Sequence, residues 1–246
     1  MKPSEYDTMF AVEERHWWYV GMQRITIVLM EELYPAQRDL HILDAGCGTG
    51  AAMHYLGRFG QVTGCDFSAL ALSYCQQRGL TRLSEASVMC LPFAANSFDL
   101  VTSFDVLYHR AVEAELVALR DFWRVLKPGG RVLLRLPAYN WLRSHHDEVI
   151  HTGRRFSARG VGHMLAASQF TVEKLSYANT ILFPLAAVKR LAERILPREG
   201  EHSDVHENPD WQDDWLARLL GAEAGWLRKH NLPFGLSVVA VGRKEQ

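Results

Sequence analysis

Several things are missing that would otherwise place this sequence in a class at once. Four cysteines, Cys47, Cys65, Cys75 and Cys90, are scattered through 246 residues without CxxC spacing, which argues against a disulfide scaffold or a zinc ribbon. Reduced thiols in a cytoplasmic protein are the economical reading. Charge of one sign is not in excess: 27 Lys and Arg face 28 Asp and Glu, for a net −1, so nothing steers the molecule toward nucleic acid. The longest charge-free apolar run near the C-terminus, Ile181 to Val188, is far too short to span a bilayer. The first ten residues, MKPSEYDTMF, lack a basic stretch followed by an apolar core, so no secretory signal is expected. Repeats and low-complexity tracts are absent. What remains is globular in composition, 48% hydrophobic and 22% charged. It is enough for one α/β domain with an appended cap.

Residues 5 to 34 read as one helix, with apolar residues at helical spacing and Pro35 beyond the end. From residue 40 strands alternate with helices: HILDAG, QVTGCDF, LTRLSEASV, FDLVTSF and RVLLRLP are strand runs, with a strongly periodic helix, AVEAELVALRDFWRVL, before the last of them. Alternation of this length implies a doubly wound parallel sheet. After Pro137 the rhythm breaks. An irregular His- and Arg-rich stretch is followed by a helix, a strand FTVEKLSY, helical segments at about 179–197 and 209–230, and a final strand GLSVVAVGRK. The two late helices read as an insertion before the last strand. The expected layout is an N-terminal helical lid (1–38), a core (39–137) and a substrate-side half (138–246) with a helical cap.

Gly46, Gly48 and Gly50 follow the first strand and open a helix, where a bare backbone can wrap a ligand. Asp66 ends the second strand, 66 − 46 = 20 residues after the first glycine, where a carboxylate accepts from ribose hydroxyls in nucleoside-binding α/β folds. A dinucleotide remains open at this point, since Gly46, Gly48 and Ala51 also fit GxGxxA. Asp44 tips the balance. A carboxylate beside the loop repels a pyrophosphate but holds an ammonium or sulfonium, and S-adenosylmethionine (SAM) has both, with no phosphate.

The set LDAGCGTG, VTGCDFS, LPFAANSFDLV, SFDVLYH and FWRVLKPGGRVLL, over roughly residues 40 to 136, resembles the class I SAM-dependent methyltransferases, in the broad group containing ubiquinone-biosynthesis-type enzymes. The resemblance implies a Rossmann-like seven-stranded sheet with its last strand antiparallel, SAM as cofactor and S-adenosylhomocysteine as product. It implies that Gly46, Gly48 and Gly50 line the methionine and ribose, that Asp66 binds the ribose and that Phe67 packs on the adenine. Phe104 and Asp105 would lie near the methionine end. The usual adenine-amine acceptor falls on Ser87, a hydroxyl without charge assistance, so backbone groups at Val88 enter as partners. Against these stand plainer readings: Asp44 or Asp66 as local caps, and Phe67 as core.

Methyl transfer is an in-line displacement that needs alignment and exclusion of water. A protic nucleophile can also need a general base, and the candidates are His109, His146 and His151. His145, Arg154 and Arg155 are candidates to hold the acceptor, although the two arginines could equally bridge to Asp147 and Glu148. The HHDEVIH cluster has ligand-type residues without a known ligand spacing, so no metal is expected. Trp18 could set an indole near the sulfonium, and Arg24 could reach the cofactor carboxylate. Trp211, Trp215, Leu219 and Trp226 form a stripe, ordinarily a core face. Its alternatives are an apolar acceptor pocket or a cap resting weakly on a membrane surface. The expected activity is methylation of a small, partly apolar or aromatic acceptor at O, N or C. An NAD(P)-dependent oxidoreductase and a SAM-binding module without turnover are the rivals.

Overall fold

The computed structural model describes residues 3–143, 147, 152–195 and 209–245. Two helices, α1 (Pro3–Val12) and α2 (Trp17–Leu33), precede β1 (Leu40–Ala45), α3 (Ala51–Leu56), β2 (Gly60–Asp66), α4 (Ala69–Gln77), β3 (Leu83–Glu85) and β4 (Phe98–Phe104). Then come α5 (Glu115–Val125), β5 (Leu126–Pro137), α6 (Ala158–Ala167), β6 (Phe170–Ala178), α7 (Phe183–Ile195), α8 (Asp210–Lys229) and β7 (Ser237–Lys244). The strands form one sheet in the order β3-β2-β1-β4-β5-β7-β6. Strands β1 to β5 pair in parallel, and β7 runs antiparallel between β5 and β6. This is the doubly wound sheet with an antiparallel last strand that the sequence implies.

The N-terminal helix is the first difference: the expected single helix is two. At the break, His16 caps α2 by accepting from the Trp18 N–H, and Trp17 N–H donates to Asp213 of α8. Glu13, just past α1, is buried, where Thr49 Oγ1 and Arg78 Nη2 both donate to it. These side-chain partners outcompete continuation of the helix.

One face of the sheet is covered by α5 and α6, through Leu119, Phe122, Val161 and Leu165. The other is covered by α2 and α8, through Met22, Ile25, Leu29, Leu220, Ala224 and Leu227. Gly21 makes the second layer close, since a Cβ there would meet Leu220 Cδ2 at 2.5 Å. That contact decides the fate of the tryptophan stripe. The buried face of α8 is Ala217, Leu220, Ala224 and Leu227, small enough for α2 to approach. Trp211, Trp215 and Trp226 are therefore turned outward, 73%, 59% and 59% exposed, and not into the core. The late helices thus divide: α8 flanks the sheet, while α7 shows Leu185, Val188 and Leu191 to solvent.

Candidate active site

The loop after β1 turns beneath α1. Its glycines all have positive φ, 83° at Gly46, 54° at Gly48 and 90° at Gly50. At Gly46 the requirement is double, because a Cβ would also stand 2.3 Å from Val106 Cγ2. Asp66, at the end of β2, fixes the loop from below: its Oδ2 accepts from the Gly48 N–H (3.0 Å) and its Oδ1 from the Ser68 N–H (3.0 Å). Ser68, rather than Asp66, caps α4. Burial raises the Asp66 carboxyl above its ordinary range. Phe67 is 55% exposed, so it is not core, and its ring lies 6.1 Å from that of His109.

Asp44 is buried near the end of β1. Thr102 Oγ1 donates to its Oδ1 at 2.8 Å, while Oδ2 is sealed from solvent with no hydrogen-bond partner. Burial pushes its pKa up to about 6. An orphaned carboxylate oxygen of this kind is costly and calls for a donor from outside the chain.

Phe104 and Asp105 stand at the end of β4, at the same carboxyl edge of the sheet. Sequence reasoning missed their partner, Arg135 of β5. Its Nε donates to Asp105 Oδ2 (2.6 Å), and its guanidinium lies over the Trp18 and Phe104 rings, 4.9 Å from each centroid. Trp18 thus receives a cation, but a protein one. The signal for Arg135 was its even spacing from Leu133 on a strand, which sets both on one face. Residues of α1 were missed as well. Tyr6 is buried beside Ser68, and Met9 lies over the loop, its Cε 3.0 Å from a Cβ built at Gly48.

Other expected site residues lie elsewhere or are already engaged. Arg24 donates to the Ala217 carbonyl on α8, away from the loop, because Gly221 opens room for it there. Arg155 is paired with Asp147 at 2.8 and 3.0 Å, and Arg154 with Glu115, so both guanidinium groups hold protein carboxylates. His109 Nδ1 accepts from the Ala111 N–H at 3.1 Å. Ser87 Oγ accepts from the Met89 N–H, and Val88 is buried. His145, His146 and His151 lie outside the described residues. Among the described residues no group of three His, Cys, Asp or Glu could hold a metal.

Residues 43–134 match the family model described as a methyltransferase domain. Demethylmenaquinone methyltransferase of Lactiplantibacillus plantarum is 35% identical over 130 residues, 48% of this chain and 50% of that one. The chain therefore spans about half the length of that curated relative. Among solved structures, the methyltransferase crystallised with the Haloferax volcanii Trm112 activator superposes with a TM-score of 0.63 at 20% identity, covering 99% of this chain and 94% of the other. The [4+2]-cyclase SpnF superposes with a TM-score of 0.56 at 21% identity, covering 90% and 81%. The two superpositions speak to the fold; the glycine loop and the matched segment speak to the family. Residues 43–134 are thus similar to a methyltransferase domain, set in a sheet whose fold is shared with solved methyltransferase structures.

Proposed function

We propose that the chain transfers the methyl group of SAM to a small, partly apolar aromatic acceptor, with quinone- or quinol-type compounds the first class to test. The observation that carries the cofactor half is the buried, unpartnered Oδ2 of Asp44 beside a loop whose three glycines all have positive φ. These residues fit SAM. The bare loop leaves room for the nucleoside, Asp66 retains lone pairs for ribose hydroxyls, and Asp44 suits the cationic end. Phe67 offers an exposed face to adenine, with Ser87 and Val88 at its edge.

SAM supplies, when bound, a methyl already activated on a sulfonium. The chain's own work is then to align the acceptor and exclude water. Tyr6 and Met9 of α1 cover the loop from above, and we assign the N-terminal helices the role of a lid.

Support for an aromatic acceptor comes from the segment that follows β5. Tyr139, just past β5, stacks on Tyr177 (5.1 Å between centroids) and meets Trp141 and Phe183, with Phe234 beyond. The ladder runs outward to the exposed apolar face of α7. The name of the matched relative points to a quinone acceptor, and such a compound dissolves in lipid. No described helix is long and apolar enough to cross a membrane. We assign α7 instead a surface contact with the bilayer, its apolar residues flanked by Lys189 and Arg190.

The test is release of S-adenosylhomocysteine from SAM across a panel of reduced quinols, phenols and amines, with and without anionic vesicles. Turnover restricted to apolar aromatic acceptors, and stimulated by vesicles, is expected. Turnover of small polar amines alone would contradict the acceptor assignment. SpnF shows why this panel is needed: a shared fold does not set the reaction.

A further inference from the structure

Arg135 is mostly enclosed, its side chain 11% exposed, yet most of its hydrogen-bonding capacity is unused. Only Nε is engaged, with Asp105; no described group accepts from Nη1 or Nη2, and neither is sealed from solvent. The guanidinium is nonetheless held in one place. Trp18 and Phe104 lie against it, and the Asp105 backbone N–H returns a bond to the Arg135 carbonyl at 2.8 Å. Asp105 sits at φ 57°, a conformation uncommon outside glycine, asparagine and aspartate, and its carboxylate accepts from Nε. A rigid fork with two idle donors is a receptor for a planar oxyanion.

Its position says which one. Asp44 is level with Thr102 on β4, and Thr102 with Leu133 on β5. Arg135 lies two residues beyond Leu133, so it stands on the same sheet face as Asp44, one side-chain layer further toward the carboxyl edge. The charge of Arg135 is felt at Asp44. At one corner the chain therefore offers an orphaned carboxylate oxygen and an under-used guanidinium, complementary to the ammonium and carboxylate of an α-amino acid.

We propose that Arg135 binds the α-carboxylate of the methionine end of SAM, opposite Asp44, and so selects nucleosides that carry an intact amino acid. This rests on the cofactor assignment above and gives Arg135 the role that the sequence suggested for Arg24.

The experiment is a binding cycle by calorimetry on the full chain. Its ligands are S-adenosylhomocysteine and the analogue in which hydrogen replaces the α-carboxylate. Wild type is expected to prefer S-adenosylhomocysteine by about 10- to 100-fold, the value of a charge-assisted hydrogen-bond pair. In Arg135→Gln that preference should collapse to within about 3-fold while affinity for the analogue holds; Arg24→Gln should keep the full preference. Full preference in Arg135→Gln overturns the proposal, and points to an acceptor oxyanion if acceptor KM rises instead. Equal loss of both ligands overturns it too, as a merely structural role. Should Arg135→Gln fail to fold by circular dichroism, Arg135→Lys replaces it, with partial preference expected and full preference contradictory. Wild type binding both ligands equally also defeats the proposal. Wild type binding neither defeats the cofactor assignment instead.

Discussion

Near the glycine loop, Asp44 and Arg135 keep unused hydrogen-bonding capacity; in the segment after β5, Arg154 and Arg155 close on carboxylates of the chain. Asp44 has an oxygen with no partner, and Arg135 has two donors without acceptors among the described residues. Arg155, by contrast, grips Asp147 through two bonds and donates to the Ala138 carbonyl, while Arg154 meets Glu115 and lies over Phe156. Polar groups buried without partners cost free energy, so they persist where a ligand completes them. Paired charges with aromatic surface between them suit a ligand held by shape and dispersion. Under the proposed function, the first region serves a charged cofactor and the second an apolar acceptor.

The strongest way to break that comparison is at Asp66, which holds the loop through Gly48 and Ser68 and faces the proposed ribose. Asp66→Ala is expected to weaken S-adenosylhomocysteine binding by about 100-fold or more, since charge-assisted hydrogen bonds are worth about 1.5–3 kcal/mol each. Calorimetry that finds unchanged affinity would remove the ribose assignment.

A smaller effect sharpens the reading of Asp44. Its carboxyl titrates near pH 6 in the free protein because burial disfavours the ion. The folded pKa is raised, so the native state holds the extra proton, and this contribution to stability falls as pH rises through roughly 4 to 6. Binding has the opposite slope, because an ammonium prefers the ionised form. Cofactor affinity should therefore rise about 10-fold between pH 5 and 7 and level off above, with a flat profile in Asp44→Asn. A flat profile in the wild type would separate Asp44 from the ligand.

The smallest effect belongs to the outer face of α8. Trp215→Ser should change folding stability by no more than about 0.5 kcal/mol, because the indole is solvated. Denaturant titration showing a loss of several kcal/mol would mean that the tryptophan face is core after all.

The glycine corner was legible in the sequence because its requirements are local. Positive φ selects glycine at 46, 48 and 50 within a few residues of a strand end, and Asp66 follows at a spacing set by one strand–helix–strand unit. Arg135 was not legible, since its meaning depends on the register of β5 against β4 and on α2 returning to set Trp18 against it. The tryptophan stripe misled for a related reason. Helical spacing shows that residues share a face, but only the Gly21 contact with Leu220 decides which face meets the sheet. Asp147 was legible as a partner for the two arginines and Arg155 takes it, whereas Glu115, which holds Arg154, is brought there only by tertiary contact.

The central claim is that the loop following β1 is a cradle for a cationic, phosphate-free nucleoside. Calorimetric titration of the full chain with SAM and, separately, with NADH tests it most directly. Saturable binding of SAM at one site per chain, and none of NADH, is expected; binding of NADH without SAM would contradict it.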